Sequence, residues 1–98
     1  MSHLLNDEVL RALSHAERRR LLRMCRTTAV SAGDLAADAG MSAASVSEHL
    51  KVLRKTELAI VEKQGKFWFY KTNVTFLETV LASLQEELLY GRGTDIPN

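Results

Sequence analysis

Two histidine–carboxylate neighbours and one thiol are the side chains of this sequence best suited to chemistry: His15 with Glu17, Glu48 with His49, and Cys25. An imidazole beside a carboxylate is the pairing that general acid–base catalysis uses, but it needs a nucleophile, a phosphate loop or a pocket-forming insertion to act with. None accompanies either pair, so the chain reads as a non-enzyme that carries no cofactor. Cys25 stands alone. One sulfur provides neither an internal disulfide nor the paired spacing of a zinc site. A bridge between two copies is open to it, but on the apolar face of its helix it reads as a small buried hydrophobe.

Recognition is the other chemistry, and it lies in residues 33–55, GDLAADAGMSAASVSEHLKVLRK. Short hydroxyl side chains at Ser42, Ser45 and Ser47 precede the cations Lys51, Arg54 and Lys55. The first set is able to hydrogen-bond base edges or phosphates at close range, and Lys51 and Arg54 to neutralise phosphates. Further cations, Lys63 and Lys66, flank a Gln64-Gly65 step downstream. The formal net charge of only +1 conceals this distribution. Residues 1–30 carry six arginines against three acids, residues 48–71 six basic residues against three acids, and residues 72–98 one arginine against four acids. A charge block alone is as often a plain solvated face.

These residues need elements to position them, and the hydrophobic pattern supplies five helices and a hairpin. The first helix spans residues 6–13, with Val9, Leu10 and Leu13 on one face. Ser14 and Glu17 form a capping-box pattern that predicts a second helix over 15–26, striped by Leu21, Leu22 and Cys25. A third, over 31–39, turns Leu35, Ala36 and Ala39 inward and stops at Gly40, a residue suited to the left-handed exit. Ser42 caps a fourth that buries Val46, Leu50 and Leu53. AIVEK and KFWFYK alternate and are rich in β-branched and aromatic residues, so they read as two antiparallel strands meeting at Gln64-Gly65. Their aromatics, Trp68 and Tyr70 on one face and Phe67 and Phe69 on the other, read as core rather than as stacking platforms. Asn73 caps a last helix, 74–90, with a stripe of Leu77, Val80, Leu81, Leu84 and Leu88.

The fold class is therefore mainly α with a small β-hairpin. The third and fourth helices, joined at Gly40, fit a helix-turn-helix whose second member enters the DNA major groove. An ordinary helical hairpin in a core is the plain alternative, and the basic hairpin downstream counts against it. With 98 residues and 46% hydrophobic content, the chain suits one domain, 1–90, with 91–98 as a frayed tail. A chain of this length buries only about 60–65% of its unfolded surface, which makes a partner subunit plausible. Leu4, Leu5, Val9 and the stripe Leu77, Val80, Leu81, Leu84 and Leu88 offer more apolar surface than the internal elements need, so they are expected to pair two copies. Charged residues near the N-terminus replace the apolar core of a signal peptide, and no apolar run is long enough to span a bilayer. The expected location is cytoplasmic, away from membranes.

Nearly the whole chain, from LRALSHAERRRLLRM through AGDLAADAGMSAASVSEHLKVLRKTELAIVEKQGKFWFYK, resembles the ArsR/SmtB-type winged-helix repressors. The shared pattern is an arginine-rich second helix (Arg18 to Arg20), a helix-turn-helix ending in Ser47-Glu48-His49-Leu50-Lys51-Val52-Leu53, and a glycine-tipped wing ending in aromatics, Gly65 to Tyr70. The resemblance implies a homodimer joined through its first and last helices, which represses transcription from an inverted-repeat operator and releases it when an inducer binds. On that basis Ser42, Ser45, Ser47 and His49 are expected to hydrogen-bond the DNA, Ala43 and Ala44 to touch thymine methyls, and Lys51, Arg54, Lys63, Gln64 and Lys66 to hold its backbone. Of Arg18, Arg19 and Arg20, which point three ways around one turn, at most two face DNA.

The sensing half departs from metal-sensing relatives. Where many of them carry Cys-x-Cys, this chain has Ser31 and Gly33, and the last helix has no histidine to accompany Glu78, Glu86 and Glu87. Carboxylates without nitrogen or sulfur partners make a poor transition-metal set. No metal site is expected, and the inducer is unknown. Two alternatives stay open: a winged-helix module that binds protein rather than DNA, and a metal- or thiol-responsive repressor using non-standard ligands or Cys25.

Overall fold

The computed structural model describes residues 6–91. The chain order is α1 (Asp7–Leu13), α2 (Ala16–Met24), β1 (Val30–Ser31), α3 (Ala32–Ala39), α4 (Ala43–Lys55), β2 (Ala59–Gln64), β3 (Phe67–Thr72) and α5 (Val74–Tyr90). Four helices begin at side-chain caps, each supplying an acceptor for an N–H that has no partner within its helix. Asn6 Oδ1 accepts from the Val9 amide at 2.8 Å, Ser31 Oγ from Asp34 and Ser42 Oγ from Ser45 at 3.1 Å each, and Asn73 Oδ1 from Phe76 at 3.3 Å. Beyond Gly91, the expected tail lies outside the described residues, as do Leu4 and Leu5.

The capping box at α2 does not form. His15 is the cap residue and makes no side-chain cap bond, and the helix ends at Met24 rather than Arg26. Ser14 instead closes α1, its hydroxyl donating to the Arg11 carbonyl at 2.7 Å. With only two residues between α1 and α2, the exit of the first helix competes with the entry of the second for the same serine.

Two loops fix how α4 sits. Gly40 leaves α3 at φ 67°, and the Met41 amide returns to the Ala36 carbonyl at 3.0 Å. At the far end Glu57 takes the same left-handed conformation, φ 67°, while its amide donates to Arg54 at 3.0 Å and that of Leu58 to Leu53 at 2.9 Å. This is a Schellman ending built on a residue other than glycine. Left-handed backbone costs an L-residue about 1–2 kcal/mol, and glycine gives back roughly 0.5–1 kcal/mol through its freer unfolded chain. Glu57→Gly is therefore expected to stabilise the fold by up to about 1 kcal/mol, read as a higher urea midpoint with an unchanged slope.

The sheet has three strands, in the order β1-β3-β2, not the expected two. β1 pairs Val30 with Tyr70 and Ser31 with Phe69, while β2 and β3 run in register from Ala59 opposite Thr72 to Gln64 opposite Phe67. A two-residue strand has no period to read and exists only because β3 offers it an edge. The turn itself is Gly65-Lys66, with positive φ at Gly65 alone, as a type II′ turn requires.

The core gathers Leu21, Leu35, Val46, Leu50, Leu53 and Leu58, all fully buried, with Val9, Ala12, Leu22, Cys25 and Val80 around them. That burial corrects part of the expected pairing surface. Val9 is 3% and Val80 0% exposed inside their own domain, so neither is available to a second copy.

Candidate nucleic-acid interface

Residue spacing decides what α4 shows to solvent. Ala43, Ser47, Lys51 and Arg54 recur at intervals of four, four and three, which puts them on one ridge of an α-helix. Val46, Leu50 and Leu53 take the face that packs on α2 and α3. Ser42, Ala43, Ala44, Ser45 and Ser47 are all exposed, so the first two turns present no side chain longer than a hydroxymethyl toward solvent apart from Glu48. Ser42 is the exception in chemistry: its oxygen already accepts the Ser45 amide and is left with its hydroxyl hydrogen to offer. Lys51, Arg54 and Lys55 follow, exposed, at the C-terminal end.

The wing meets that end of α4 through an aromatic ring. Arg54 Cζ lies 5.2 Å and Lys63 Nζ 4.6 Å from the centroid of Trp68, and Lys66 Nζ lies 5.7 Å from that of Phe67. Lys63 and Trp68 are direct partners across the β2–β3 ladder, which sends both side chains to one face. The structure thus brings together Arg54, Lys63 and an aromatic residue expected in the core. Trp68 is 40% and Phe67 58% exposed; only Tyr70 packs against the core as expected, with Phe69 half-buried at the sheet. A usable signal was present, since a two-residue loop at Gly65-Lys66 sets a lysine opposite the tryptophan.

His49 is corrected more sharply. Its ring faces α2, not solvent, with 15% of the side chain exposed. Arg18 Nη1 lies 3.4 Å from Nδ1 and Glu17 Oε1 3.2 Å from Nε2. A guanidinium only donates, so Nδ1 accepts and Nε2–H donates to the carboxylate. Both ring nitrogens are engaged within the protein, where His49 fastens α4 to α2. The two histidine–acid pairs suggested by sequence are replaced by this cross-helix one.

Arg18 is buried, and its guanidinium turns inward to α1: Nε donates to the Ala12 carbonyl at 2.8 Å and Nη2 to that of Arg11 at 3.2 Å. Arg19 Nη1 donates to Leu13 at 2.7 Å. Two of the three consecutive arginines therefore close the C-terminal end of α1, where carbonyls lack partners and positive charge is favoured. Arg20 stays exposed.

Cys25 is 1% exposed. Its Sγ donates to the Leu21 carbonyl at 3.3 Å and lies 3.5 Å from Thr72 Oγ1, whose own hydrogen bond goes to the Leu22 carbonyl at 2.6 Å. Burial pushes the thiol pKa up, and the hydrogen bonds with Thr72 only partly offset this. Folding therefore opposes ionisation. The resulting stability is complete below the ordinary thiol pKa and declines as pH rises above it, where the unfolded chain ionises first. In urea titrations the stability gap between the wild type and Cys25→Ala is expected to narrow with increasing alkalinity, because only the wild type loses this contribution. Among the described residues there is no cluster of three or more His, Cys, Asp or Glu able to hold a metal. At the positions compared with Cys-x-Cys, the Ser31 hydroxyl caps α3 and Gly33 is exposed.

A second surface lies away from this one. Leu10 and Leu13 of α1, Leu22 of α2 and Leu77, Leu81 and Leu84 of α5 line a groove of about 630 Å³, edged by Arg19, Arg23 and Arg26. α5 has 17 residues and buries only Val80, leaving Leu81, Leu88, Leu89 and Tyr90 exposed. No described helix is long and apolar enough to cross a membrane.

Comparison with known proteins agrees with this geometry. Residues 13–62 match the model of a helix-turn-helix domain family. The transcriptional repressor SdpR of Bacillus subtilis (strain 168) is 32% identical over 72 residues, covering 74% of this chain and 80% of that protein. An ArsR-like transcriptional regulator from Rhodococcus sp. RHA1 superimposes with a TM-score of 0.79 at 23% identity, covering 92% of this chain and 83% of that one. The homodimeric winged helix-turn-helix DNA-binding domain of a possible ArsR-family regulator from Mycobacterium bovis gives 0.67 at 21% identity, over 84% and 79% of the two chains.

Proposed function

Because the chain belongs to a helix-turn-helix domain family and is similar to a transcriptional repressor, we propose that it is a homodimeric winged-helix repressor of the ArsR type that reads an inverted-repeat operator with α4 and grips the backbone with its wing. It is a DNA-binding regulator, not an enzyme. The observation that carries the finer reading is the continuous surface formed by the α4 ridge and the wing, with Arg54 and Lys63 meeting at Trp68. In this reading Ala43, Ala44, Ser45 and Ser47 enter the major groove, where small side chains allow the helix close approach. Ser42 donates to a phosphate or a base edge, and Lys51, Arg54, Lys63, Gln64 and Lys66 hold the backbone. His49 has no part in reading DNA.

The exposed apolar face of α5 and the groove beside it support the dimer. α5 buries Val80 and packs Phe76 and Leu77 against the core but leaves Leu81 and Leu88 exposed, and two-fold pairing buries the same patch on both copies. Leu77, Leu81, Leu84 and Leu88 are the contacts assigned to that interface. Pairing then sets two recognition helices about 34–36 Å apart, one turn of DNA. Release is assigned to a signal other than a metal ion, and the protein is assigned to the cytoplasm.

Footprinting on DNA upstream of the protein's own gene, with sedimentation equilibrium on the free protein, tests the reading. Two protected half-sites one helical turn apart and a dimeric mass are expected. A monomer, or a protein that protects no DNA and captures only protein, contradicts it. The footprint is expected to be indifferent to added metals, chelators and oxidants; stoichiometric metal binding with loss of protection would overturn the metal-independent assignment.

A further inference from the structure

We propose that Trp68 is a positioning residue that joins the recognition helix to the wing, holding Arg54 and Lys63 ready as one backbone clamp. The inference rests on the DNA-binding reading above and adds to it a role for a wing aromatic. Three observations carry it. Trp68 is a large aromatic side chain left 40% exposed, although Leu58, Ala59 and Thr72 at the base of the same hairpin are buried. Two cations from different elements lie within 6 Å of its ring centroid, one from the last turn of α4 and one from β2. Both belong to the surface on which α4 and the wing meet.

Two like charges drawn to one place repel each other. The negative face of an indole ring offsets that repulsion, and tryptophan does so better than tyrosine or phenylalanine. Long side chains otherwise lose rotamer freedom when DNA immobilises them. Held on the ring, Arg54 and Lys63 have lost part of that freedom before binding. The ring also ties the angle of the wing to α4, so the two elements meet the backbone as a unit.

The test is fluorescence anisotropy of the full chain on a mixed-sequence DNA duplex across a salt series, which reads backbone contact without knowledge of the operator. Trp68→Leu keeps an apolar side chain and removes the ring; Trp68→Phe keeps a weaker ring. We expect Trp68→Leu to weaken binding by about tenfold with the salt slope retained, since both cations are still present. Trp68→Phe should recover most of that loss. In an Arg54→Ala/Lys63→Ala background Trp68→Leu should have no further effect, because there is nothing left to position. In the free protein, the aliphatic proton resonances of Arg54 and Lys63 should move downfield in Trp68→Leu, as ring-current shielding disappears.

Binding by Trp68→Leu equal to wild type would overturn the proposal. So would an equal loss in the double-alanine background, which would mean that the ring itself touches DNA. Unchanged Arg54 and Lys63 resonances in Trp68→Leu would overturn it without reference to DNA. Failure of the wild type to bind any duplex would instead overturn the DNA-binding reading itself, and is thus distinguishable.

Discussion

Arg54→Glu is expected to lower affinity for every DNA sequence by about 100-fold and to flatten the dependence of binding on salt. Each phosphate contact contributes about 0.9 to the slope of log affinity against log salt, and a dimer loses the contact twice. Reversal also sets a carboxylate against the phosphates, so the loss exceeds that of Arg54→Ala, roughly tenfold. The folded state should be nearly untouched. Arg54 is exposed and the one described contact of its side chain is the Trp68 ring, worth about 0.5–1 kcal/mol at such a site. Titrations at several salt concentrations, with a urea curve as control, check both halves. Ser45→Ala and Ser47→Ala provide the contrast: they should change which sequences are preferred far more than the salt slope. If Arg54→Glu binds DNA like wild type, α4 is not the recognition helix.

Arg18→Ala carries the largest expected cost in stability, roughly 2–4 kcal/mol. The side chain is buried, and its loss strands the Ala12 carbonyl, removes a second bond to Arg11 and takes a positive charge from the C-terminal end of α1. Hydrogen bonds from charged donors are worth about 1.5–3 kcal/mol each when a buried acceptor is left without them. In a domain of this size every 1 kcal/mol lowers the melting temperature by about 4–8 °C, so a fall on the order of 10–25 °C is expected. Arg18→Lys should recover only part of it, because an ammonium cannot reproduce the forked geometry that reaches two carbonyls and His49. A thermal melt within 3–4 °C or so of wild type would show that these bonds contribute little. DNA binding should weaken in both variants even below the melt, since Arg18 also orders His49 and with it the seat of α4.

These two arginines show how far the residues alone could be read. Arg54 lies on a long helix whose buried face repeats cleanly, so its outward direction followed from spacing. Arg18 lies in a run of three, and no period tells which member turns inward; that depended on the way α1 ends, a matter of tertiary packing. His49 was misread for a related reason. It sits at the margin of the buried stripe of α4, where spacing alone does not decide between solvent and α2. Gly40 announced the turn before α4 by its type, whereas Glu57, in the same conformation, gave no such sign. Trp68 was lost to the general tendency of strand aromatics to be buried, a tendency that two nearby cations override.

Ser31 places one further constraint on the molecule. Its backbone belongs to β1, opposite Phe69, while its hydroxyl caps α3 through the Asp34 amide. The base of the wing is thus three strands thick and bolted to the first helix of the helix-turn-helix, whereas the outer pairs, Lys63 with Trp68 and Gln64 with Phe67, form a two-stranded ribbon. A two-stranded ribbon has only marginal stability of its own. The wing is therefore tied down at its root and free-standing at its tip, and if it grips DNA as proposed, the tip is the part expected to adjust to the duplex.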